Sequence, residues 1–263
     1  MSQASGPPPS PQEADTGSYT RRELMVAAAA REIRDREVVF VGMRLPLLGF
    51  ALAKATHAPE AVGLFENGVI RDQPAEAFIY TMGDPPNIAG AVACLGLNDV
   101  MSLLQQGRVS MGFIGGAEID QQGNLNTTRT GSGASLVRLP GSGGGGDIAS
   151  LANRTVLIME HEPRRFRPHV AYITSPGYFA GRRRGGPSTL ITTLGVFDLT
   201  PAGVSVRSLH PGVSIDQVRE ATGFPLRVPA SVQQTPPPTS DELAYIRKAD
   251  PEGFWTGDTM KRR

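Results

Sequence analysis

Short apolar runs that alternate with helical patterns constrain the fold of this chain more than any other feature. Residues 38–41 and 155–159 are almost wholly apolar, which is typical of strands buried on both faces of a sheet. Helical patterns cover residues 20–35 and 45–54, and Thr20 begins a capping-box sequence at the start of the first. This alternation predicts an α/β fold with an open, largely parallel sheet flanked by helices.

The remaining segments follow the same alternation. Further strands are predicted up to residue 65 and at 109–114, 190–197 and 204–209, and further helices at 100–106, 214–222 and 241–248, with a helix start at 148–152. Residues 71–98 give no clear pattern. The Pro-rich residues 1–17 predict a disordered tail, residues 18–256 a single α/β domain, and residues 257–263 a C-terminal tail.

Composition narrows the class of protein. A chain of 263 residues can bury a sizeable core, and a formal net charge of +1 offers no electrostatic case for nucleic acid or an anionic membrane. Cys94 is the only cysteine, so no internal disulfide forms; we expect it to be a small buried apolar residue. No apolar run reaches transmembrane length and no signal-peptide pattern begins the chain, so the expected location is the cytoplasm.

Glu66 stands out because of what surrounds it. The apolar run at 61–65 predicts a strand, and Asn67 and Gly68 follow the glutamate at once. Gly68 permits a sharp turn or a positive φ angle. Chemistry in open α/β sheets gathers beyond the carboxyl ends of strands, so Glu66 is a candidate nucleophile or base. Taken alone, these three residues favour an ordinary acidic turn after a strand.

Residues 131–146 form a glycine-dense stretch that predicts a long irregular loop. Gly141 to Gly146 formally match a dinucleotide-binding fingerprint, and Glu160 lies about twenty residues further on. No convincing strand leads into Gly141, which weakens this interpretation. The alternatives are a flexible solvent loop and a loop whose backbone N–H groups stabilise an oxyanion.

Several stretches taken together resemble the β subunit of class I coenzyme A transferases, and within that family the glutaconate CoA-transferase β subunit. Each piece is short, but they follow one another in the family's order from about residue 18 to 254. They are residues 45–49, 58–59, the strand ending at Glu66, 113–120, 123–126, 141–144, 161–166, 174–177, 194–197 and 210–212.

The resemblance implies a CoA-transferase-like fold and a catalytic Glu66 in an active site shared with a separate α subunit, as a heterodimer or a dimer of heterodimers. In the family reaction the carboxylate attacks an acyl-CoA, and the released CoA thiolate then attacks the resulting anhydride to leave a glutamyl-CoA thioester. A carboxylic acid reverses these steps. CoA is thus a substrate, and no tightly bound cofactor is implied. By resemblance, Gly143 and Gly144 supply N–H donors for the oxyanions.

The resemblance also suggests roles beside the nucleophile. Asn67, Gly68, Gly115, Gly116 and Asp120 are the expected substrate-binding residues, although a purely structural turn explains the last three as well. We expect the four histidines to be structural, since none has a partner at nucleophile spacing, and no cluster has metal-ligand spacing.

Two basic clusters have open roles. Residues 164–167 meet either the CoA phosphates, the α subunit or only solvent, and residues 182–184 are expected to form a mobile surface loop.

Other activities on the same scaffold stay open. Some relatives of the transferases are acyl-CoA hydrolases or decarboxylases, in which we expect a different residue at the Glu66 position. The retained glutamate favours transfer, and the glutaconate resemblance points to a dicarboxylic acyl-CoA. A dinucleotide-binding module is the third hypothesis.

Overall fold

A computed structural model describes residues 19–182 and 184–257. Its helices are α1 (Arg21–Arg31), α2 (Leu45–Ala55), α3 (Pro85–Ile88), α4 (Leu97–Gln105), α5 (Gly145–Leu151), α6 (Ile215–Glu220) and α7 (Ser240–Ala249). Its strands are β1 (Val38–Phe40), β2 (Val62–Leu64), β3 (Val69–Arg71), β4 (Ala93–Cys94), β5 (Met111–Ile114), β6 (Glu118–Ile119), β7 (Leu125–Asn126), β8 (Arg129–Thr130), β9 (Val137–Arg138), β10 (Thr155–Met159), β11 (Pro187–Thr192), β12 (Gly195–Thr200), β13 (Gly203–Leu209) and β14 (Gln233–Gln234).

One mixed sheet organises this part of the chain, in the order β14-β13-β12-β11-β10-β5-β1-β2-β3-β4. The centre, from β11 to β2, is parallel. On one side β3 pairs antiparallel with β2 and β4 with β3, and on the other β12 pairs antiparallel with β11 and β13 with β12. The last strand, β14, is parallel to β13. The predicted open, largely parallel sheet is therefore confirmed for its centre. Because β2, β1, β5 and β10 run in the same direction, their carboxyl ends meet at one edge.

Helices cover both faces of the sheet, as predicted. Val39 and Phe40 are neighbours in β1, yet they belong to different buried clusters on opposite faces. Helices α1, α2 and α7 contribute to the cluster around Val39, and α4 and α5 to the one around Phe40. Gly49 brings α2 against α1, because a β-carbon there would lie 3.1 Å from that of Ala29.

Several sequence predictions of local structure are confirmed. Thr20 caps α1 by accepting from the Glu23 backbone N–H over 3.1 Å, while the Glu23 carboxylate accepts from Thr20 N–H over 2.7 Å. Strands β1, β5 and β10 and helices α2 and α7 lie where their patterns predicted them. The predicted tail at 1–17 lies outside the described residues, as does the predicted tail at 257–263 apart from Gly257. The single-domain organisation stays a prediction.

Other predictions are wrong. The strand expected at 190–197 is two strands, β11 and β12, joined by a tight turn. The irregular loop expected at 131–146 holds the paired strand β9, a short 3₁₀ turn at Gly133–Ser135 and the start of α5. Cys94 is exposed rather than buried, because β4 is the last strand at the edge of the sheet.

Candidate active site

Glu66 occupies the tight turn that joins β2 to β3, at the carboxyl edge of the parallel centre. Two backbone hydrogen bonds close this turn: Phe65 N–H donates to the Val69 carbonyl over 2.9 Å, and Gly68 N–H to the Phe65 carbonyl over 3.0 Å. Phe65 itself is 1% exposed and anchors the turn in the core. The following Gly68 has a φ of +100°, which a side chain would strain. The turn predicted after the strand is present, and it leaves Glu66 only partly buried.

Gly144 contacts the Glu66 carboxylate directly, although 78 residues separate the two in sequence. Its backbone N–H donates to Glu66 Oε1 over 2.9 Å. Gly144 immediately precedes α5, and the preceding Gly143 turns the chain with a φ of +46°. A β-carbon at Gly143 would lie 3.4 Å from Glu66 Oε1. The structure thus brings the predicted glutamate and both predicted glycines together.

A side chain at Gly144 would crowd the carboxylate. A β-carbon at Gly144 would lie 3.2 Å from Glu66 Cδ and 3.3 Å from Met101 Cε, closer than most real contacts of that kind. The glycines therefore let the main chain approach the carboxylate within hydrogen-bond distance. A preorganised N–H donor at this distance is what an oxyanion-stabilising site requires.

The dinucleotide interpretation of this loop gains no support. Glu160, the acid that would hold a ribose, forms an ion pair of 2.9 Å with Arg22 on α1. The glycines at 143 and 144 contact the Glu66 carboxylate. A negatively charged carboxylate at this position would repel the pyrophosphate anion of a dinucleotide.

Asn67 and Gly68 form hydrogen bonds that stabilise the turn. Asn67 Nδ2 donates to the Met82 carbonyl over 2.7 Å, and its Oδ1 accepts from Val69 N–H over 3.4 Å. The Gly68 carbonyl accepts from Leu95 N–H over 2.9 Å. A contact of either residue with substrate stays a prediction.

Gly115 and Gly116 follow β5 at the same edge of the sheet, and Asp120 follows the short strand β6. Asp120 is 3% exposed, and its Oδ1 accepts from the N–H groups of Gln122 and Asn124, both over 3.1 Å. Its Oδ2 accepts from Asn124 Nδ2 over 3.0 Å. These bonds give Asp120 a turn-forming role; whether it or the two glycines also bind substrate stays a prediction.

The histidines in the core have structural surroundings. His161 is stacked on Phe166 with ring centres 3.7 Å apart, and it hydrogen-bonds Thr192 and Thr222. Burial lowers the pKa of His161 to about 3. Burial, opposed by a bond to the Thr192 carbonyl, lowers the pKa of His210 to about 4. Both rings are neutral near pH 7.

The basic clusters have partners of their own. Arg164 and Arg165 both donate to Glu162 Oε2, over 2.7 and 2.9 Å. The prediction of a mobile surface loop is wrong for Arg182, which is partly buried because its guanidinium donates to main-chain carbonyls of Ala149, Pro176, Gly177 and Arg184. The second arginine of that cluster lies outside the described residues.

Sequence reasoning missed the residues that surround this pair. Met101 touches the Gly144 position, Ser175 Oγ would lie 3.2 Å from a β-carbon at Gly145, and the Met82 carbonyl holds Asn67. No sequence motif identifies these residues, because each is brought to the site only by the folding of the chain.

A cavity of about 270 Å³ is lined by Phe65 but not by Glu66, and so is separate from the carboxylate.

Two further features concern metal-ligating clusters and membrane-spanning helices. In the described part of the chain, no three His, Cys, Asp or Glu side chains are grouped so as to hold a metal ion. No helix within residues 19–182 and 184–257 has the length and apolar character needed to cross a membrane.

Comparison with known proteins identifies the family of this chain. The model of the coenzyme A transferase family matches residues 22–221. A 3-oxoadipate CoA-transferase subunit of Pseudomonas knackmussii is 36% identical over 243 residues, which cover 88% of this chain and 93% of that protein. The chain belongs to the coenzyme A transferase family. The family recognised from the sequence and the expected enzyme class are thereby confirmed.

Solved structures of the family share the fold. The crystal structure of glutaconate coenzyme A-transferase from Acidaminococcus fermentans matches with a TM-score of 0.84 and 29% identity, covering 92% of this chain and 98% of that one. The decarboxylase AibA/AibB matches with a TM-score of 0.80 and 32% identity, covering 90% and 97%. The scaffold of this family member therefore also occurs in a decarboxylase.

Proposed function

We propose that this chain is the β subunit of a heteromeric CoA transferase and that Glu66 is its nucleophile. The observation that carries the proposal is the Glu66 carboxylate at the carboxyl edge of the sheet, with the Gly144 N–H 2.9 Å from Oε1. A carboxylate is a weak nucleophile, so its position relative to the thioester matters more than its basicity. The active site is completed by an α subunit, in a heterodimer or a dimer of heterodimers.

The reaction proceeds in two halves. Glu66 Oε attacks the acyl-CoA thioester carbonyl, the C–S bond breaks, and an acyl-glutamyl anhydride and CoA thiolate form. The thiolate sulfur then attacks Glu66 Cδ, and the bond from Cδ to the bridging oxygen breaks, so that the donor acid leaves as a carboxylate and CoA remains on Glu66 as a thioester. A second acid reverses both steps and leaves as the new acyl-CoA.

Gly144 has a defined task in the second of these attacks. When the thiolate adds to Cδ, negative charge develops on the glutamyl carbonyl oxygen, which corresponds to Glu66 Oε1. The Gly144 N–H already lies at the distance that favours an oxyanion at this oxygen. Gly143 presents its backbone beside the same oxygen. Asn67, Gly68, Gly115 and Gly116 shape the space in which the acyl group binds, and Asp120 holds the turn beside that space.

The names of related transferases support a proposal for the substrates. Two of the transferases to which this chain is similar are named for 3-oxoadipate and glutaconate, both dicarboxylic acids. We therefore assign a dicarboxylic acyl-CoA as donor and a carboxylic acid as acceptor, with CoA as a substrate rather than a bound cofactor. The second candidate function is decarboxylation or hydrolysis of an acyl-CoA on the same scaffold, which the structural match to the decarboxylase AibA/AibB favours.

Intact-mass spectrometry of the purified α/β complex tests the proposal. The complex is incubated with 3-oxoadipyl-CoA, glutaconyl-CoA, succinyl-CoA and acetyl-CoA in turn. We expect this chain to gain the mass of CoA less one water, at a peptide containing Glu66, and the gain to be absent in Glu66→Ala. Turnover of an acyl-CoA with no adduct, continuing in Glu66→Gln, would overturn transfer and move the protein to the decarboxylase or hydrolase class.

A further inference from the structure

Arg71 is a buried cation whose partners are main-chain carbonyls. It ends β3, five residues after Glu66, and it is 3% exposed. Its guanidinium contacts the segment that follows β3, which lies within residues 71–98, where the sequence shows no clear pattern. The bonds run to the carbonyls of Gln73 (3.0 Å), Pro74 (3.3 Å), Pro86 (3.3 Å), Asn87 (2.7 Å) and Ala89 (2.7 Å). One side chain thus gathers both ends of this segment.

We call residues 72–92 the platform. The platform leaves the sheet after Arg71 and returns where Val92 N–H donates to the Ile70 carbonyl over 2.9 Å. Within it, the Asp84 carboxylate accepts from the N–H groups of Tyr80 and Thr81 over 2.7 and 2.9 Å. The platform is therefore an ordered structure that is fixed mainly by side chains bonded to the main chain.

Asn87 connects Arg71 to the turn that carries the nucleophile. Asn87 is fully buried, and its Nδ2 donates to the Met82 carbonyl over 2.7 Å. The same carbonyl accepts from Asn67 Nδ2, also over 2.7 Å. Asn67 is the residue next to Glu66. A chain of short hydrogen bonds therefore runs from Arg71 through Asn87 and Met82 to the turn.

We infer that Arg71 and Asn87 are positioning residues: they fix the Met82 carbonyl, which holds Asn67 and thereby the direction of the Glu66 carboxylate. The inference rests on the proposed role of Glu66 as nucleophile. A misplacement of about 1 Å at a reacting group can lower a rate by about 100-fold, so a weakened platform affects the chemical step more than substrate binding.

Arg71→Lys and Asn87→Ala test this in the α/β complex. Lysine keeps the charge but not the five-donor fork, and Asn87→Ala removes the amide while leaving the backbone carbonyl that Arg71 contacts. We expect the rate of CoA-adduct formation at saturating acyl-CoA to fall about 10-fold or more, with the half-saturating concentration changed by less than about 3-fold.

Arg154→Lys is the matched control. Arg154 also binds a main-chain carbonyl, that of Glu32, and a carboxylate, Glu37. It immediately precedes β10, at the opposite edge of the sheet from Glu66. We expect Arg154→Lys to lower thermal stability and leave the rate of adduct formation unchanged. If Arg71→Lys and Asn87→Ala behave in the same way, the two residues only stabilise the fold and the inference is overturned.

Amide hydrogen exchange separates this inference from the proposed function. Faster exchange at residues 66–69 in Asn87→Ala, with unchanged exchange in α1, supports the positioning of the turn even if wild-type protein forms no adduct and the transferase proposal fails. Unchanged exchange at 66–69 overturns the positioning role whatever the activity. If Arg71→Lys does not fold, Asn87→Ala decides the question alone.

Discussion

The carbonyl oxygen of Leu95 lies so close to Gly68 that a β-carbon at Gly68 would come within 1.9 Å of it. The two residues are also joined by a hydrogen bond from Leu95 N–H to the Gly68 carbonyl over 2.9 Å. Through this contact, the chain that follows the platform packs directly against the turn that carries Glu66. Gly68 is therefore required for its lack of a side chain as well as for its φ of +100°.

Gly68→Ala should destabilise the protein more than backbone strain alone would, because the new methyl group also clashes with the main chain of Leu95. Gly203 is the matched control, because it has a similar φ of +111° but open space where a β-carbon would be placed. We expect Gly203→Ala to lose about 1–3 kcal/mol of unfolding free energy from strain, and Gly68→Ala to lose clearly more because main chain must move. Urea unfolding of both variants measures this difference, and equal losses would contradict the close approach.

Gly144→Ala should slow catalysis with little effect on stability. Gly144 has φ −77° and ψ 0°, a negative-φ conformation that is open to L-residues, unlike the positive φ of Gly68. Its new methyl group would lie 3.2 Å from Glu66 Cδ, so the carboxylate must shift by a few tenths of an ångström. We expect the rate of CoA-adduct formation to fall about 10-fold.

Gly145→Ala provides the comparison for that prediction. A β-carbon there would also lie 3.2 Å from its nearest neighbour, but that neighbour is Ser175 Oγ instead of Glu66. We expect stopped-flow or quenched mass measurements to give a near wild-type rate for Gly145→Ala. Equal slowing in both variants would show that α5 is generally sensitive to substitution and that Gly144 has no special relationship with the carboxylate.

The sequence was sufficient for the elements whose structure is decided locally. The strand and turn around Glu66 follow from an apolar run, an amide and a glycine, and Thr20 caps α1 through residues three positions apart. The pairing of Glu66 with Gly144 spans 78 positions and was accessible only through the family resemblance.

The platform could not be predicted for a related reason. Its order depends on Arg71 bonding carbonyls up to 18 positions away, and this leaves no periodic pattern in the sequence. The missed turn between β11 and β12 has a different cause. There Thr192 Oγ1 accepts from Leu194 N–H and Gly195 N–H over 3.1 and 3.2 Å, which breaks an otherwise strand-like run.

Acid should weaken the fold through its buried histidines. The folded pKa of His161 is about 3 and that of His210 about 4, both below the unfolded value of about 6.5. As pH falls, these histidines therefore bind protons in the unfolded chain before they do so in the folded chain. The contribution of the two neutral histidines to stability is complete above about pH 6.5, and it is lost as pH falls toward their folded pKa values of about 4 and about 3. Each histidine contributes a slope of up to about 1.4 kcal/mol per pH unit.

His161→Gln should make stability less dependent on pH. We expect the variant to lose about half as much unfolding free energy as wild type between pH 6 and pH 5, because His210 still titrates in the unfolded state. Urea unfolding at these two pH values gives the comparison in a range where most carboxylates stay ionised. An unchanged difference would show that His161 is protonated equally in both states.

Asp120→Ala distinguishes a turn-forming carboxylate from one that binds substrate. Asp120 is 3% exposed and accepts three hydrogen bonds from Gln122 and Asn124. Removing it leaves these donors without their acceptor, so we expect a loss of at least about 2 kcal/mol in unfolding free energy. The KM for the acid substrate should change less than about twofold, since the carboxylate is already occupied. Asp216→Ala, at an exposed position paired with Arg219, should change neither quantity by a comparable amount. A raised KM with undiminished stability in Asp120→Ala would instead establish that Asp120 contacts the substrate and that its turn holds without it.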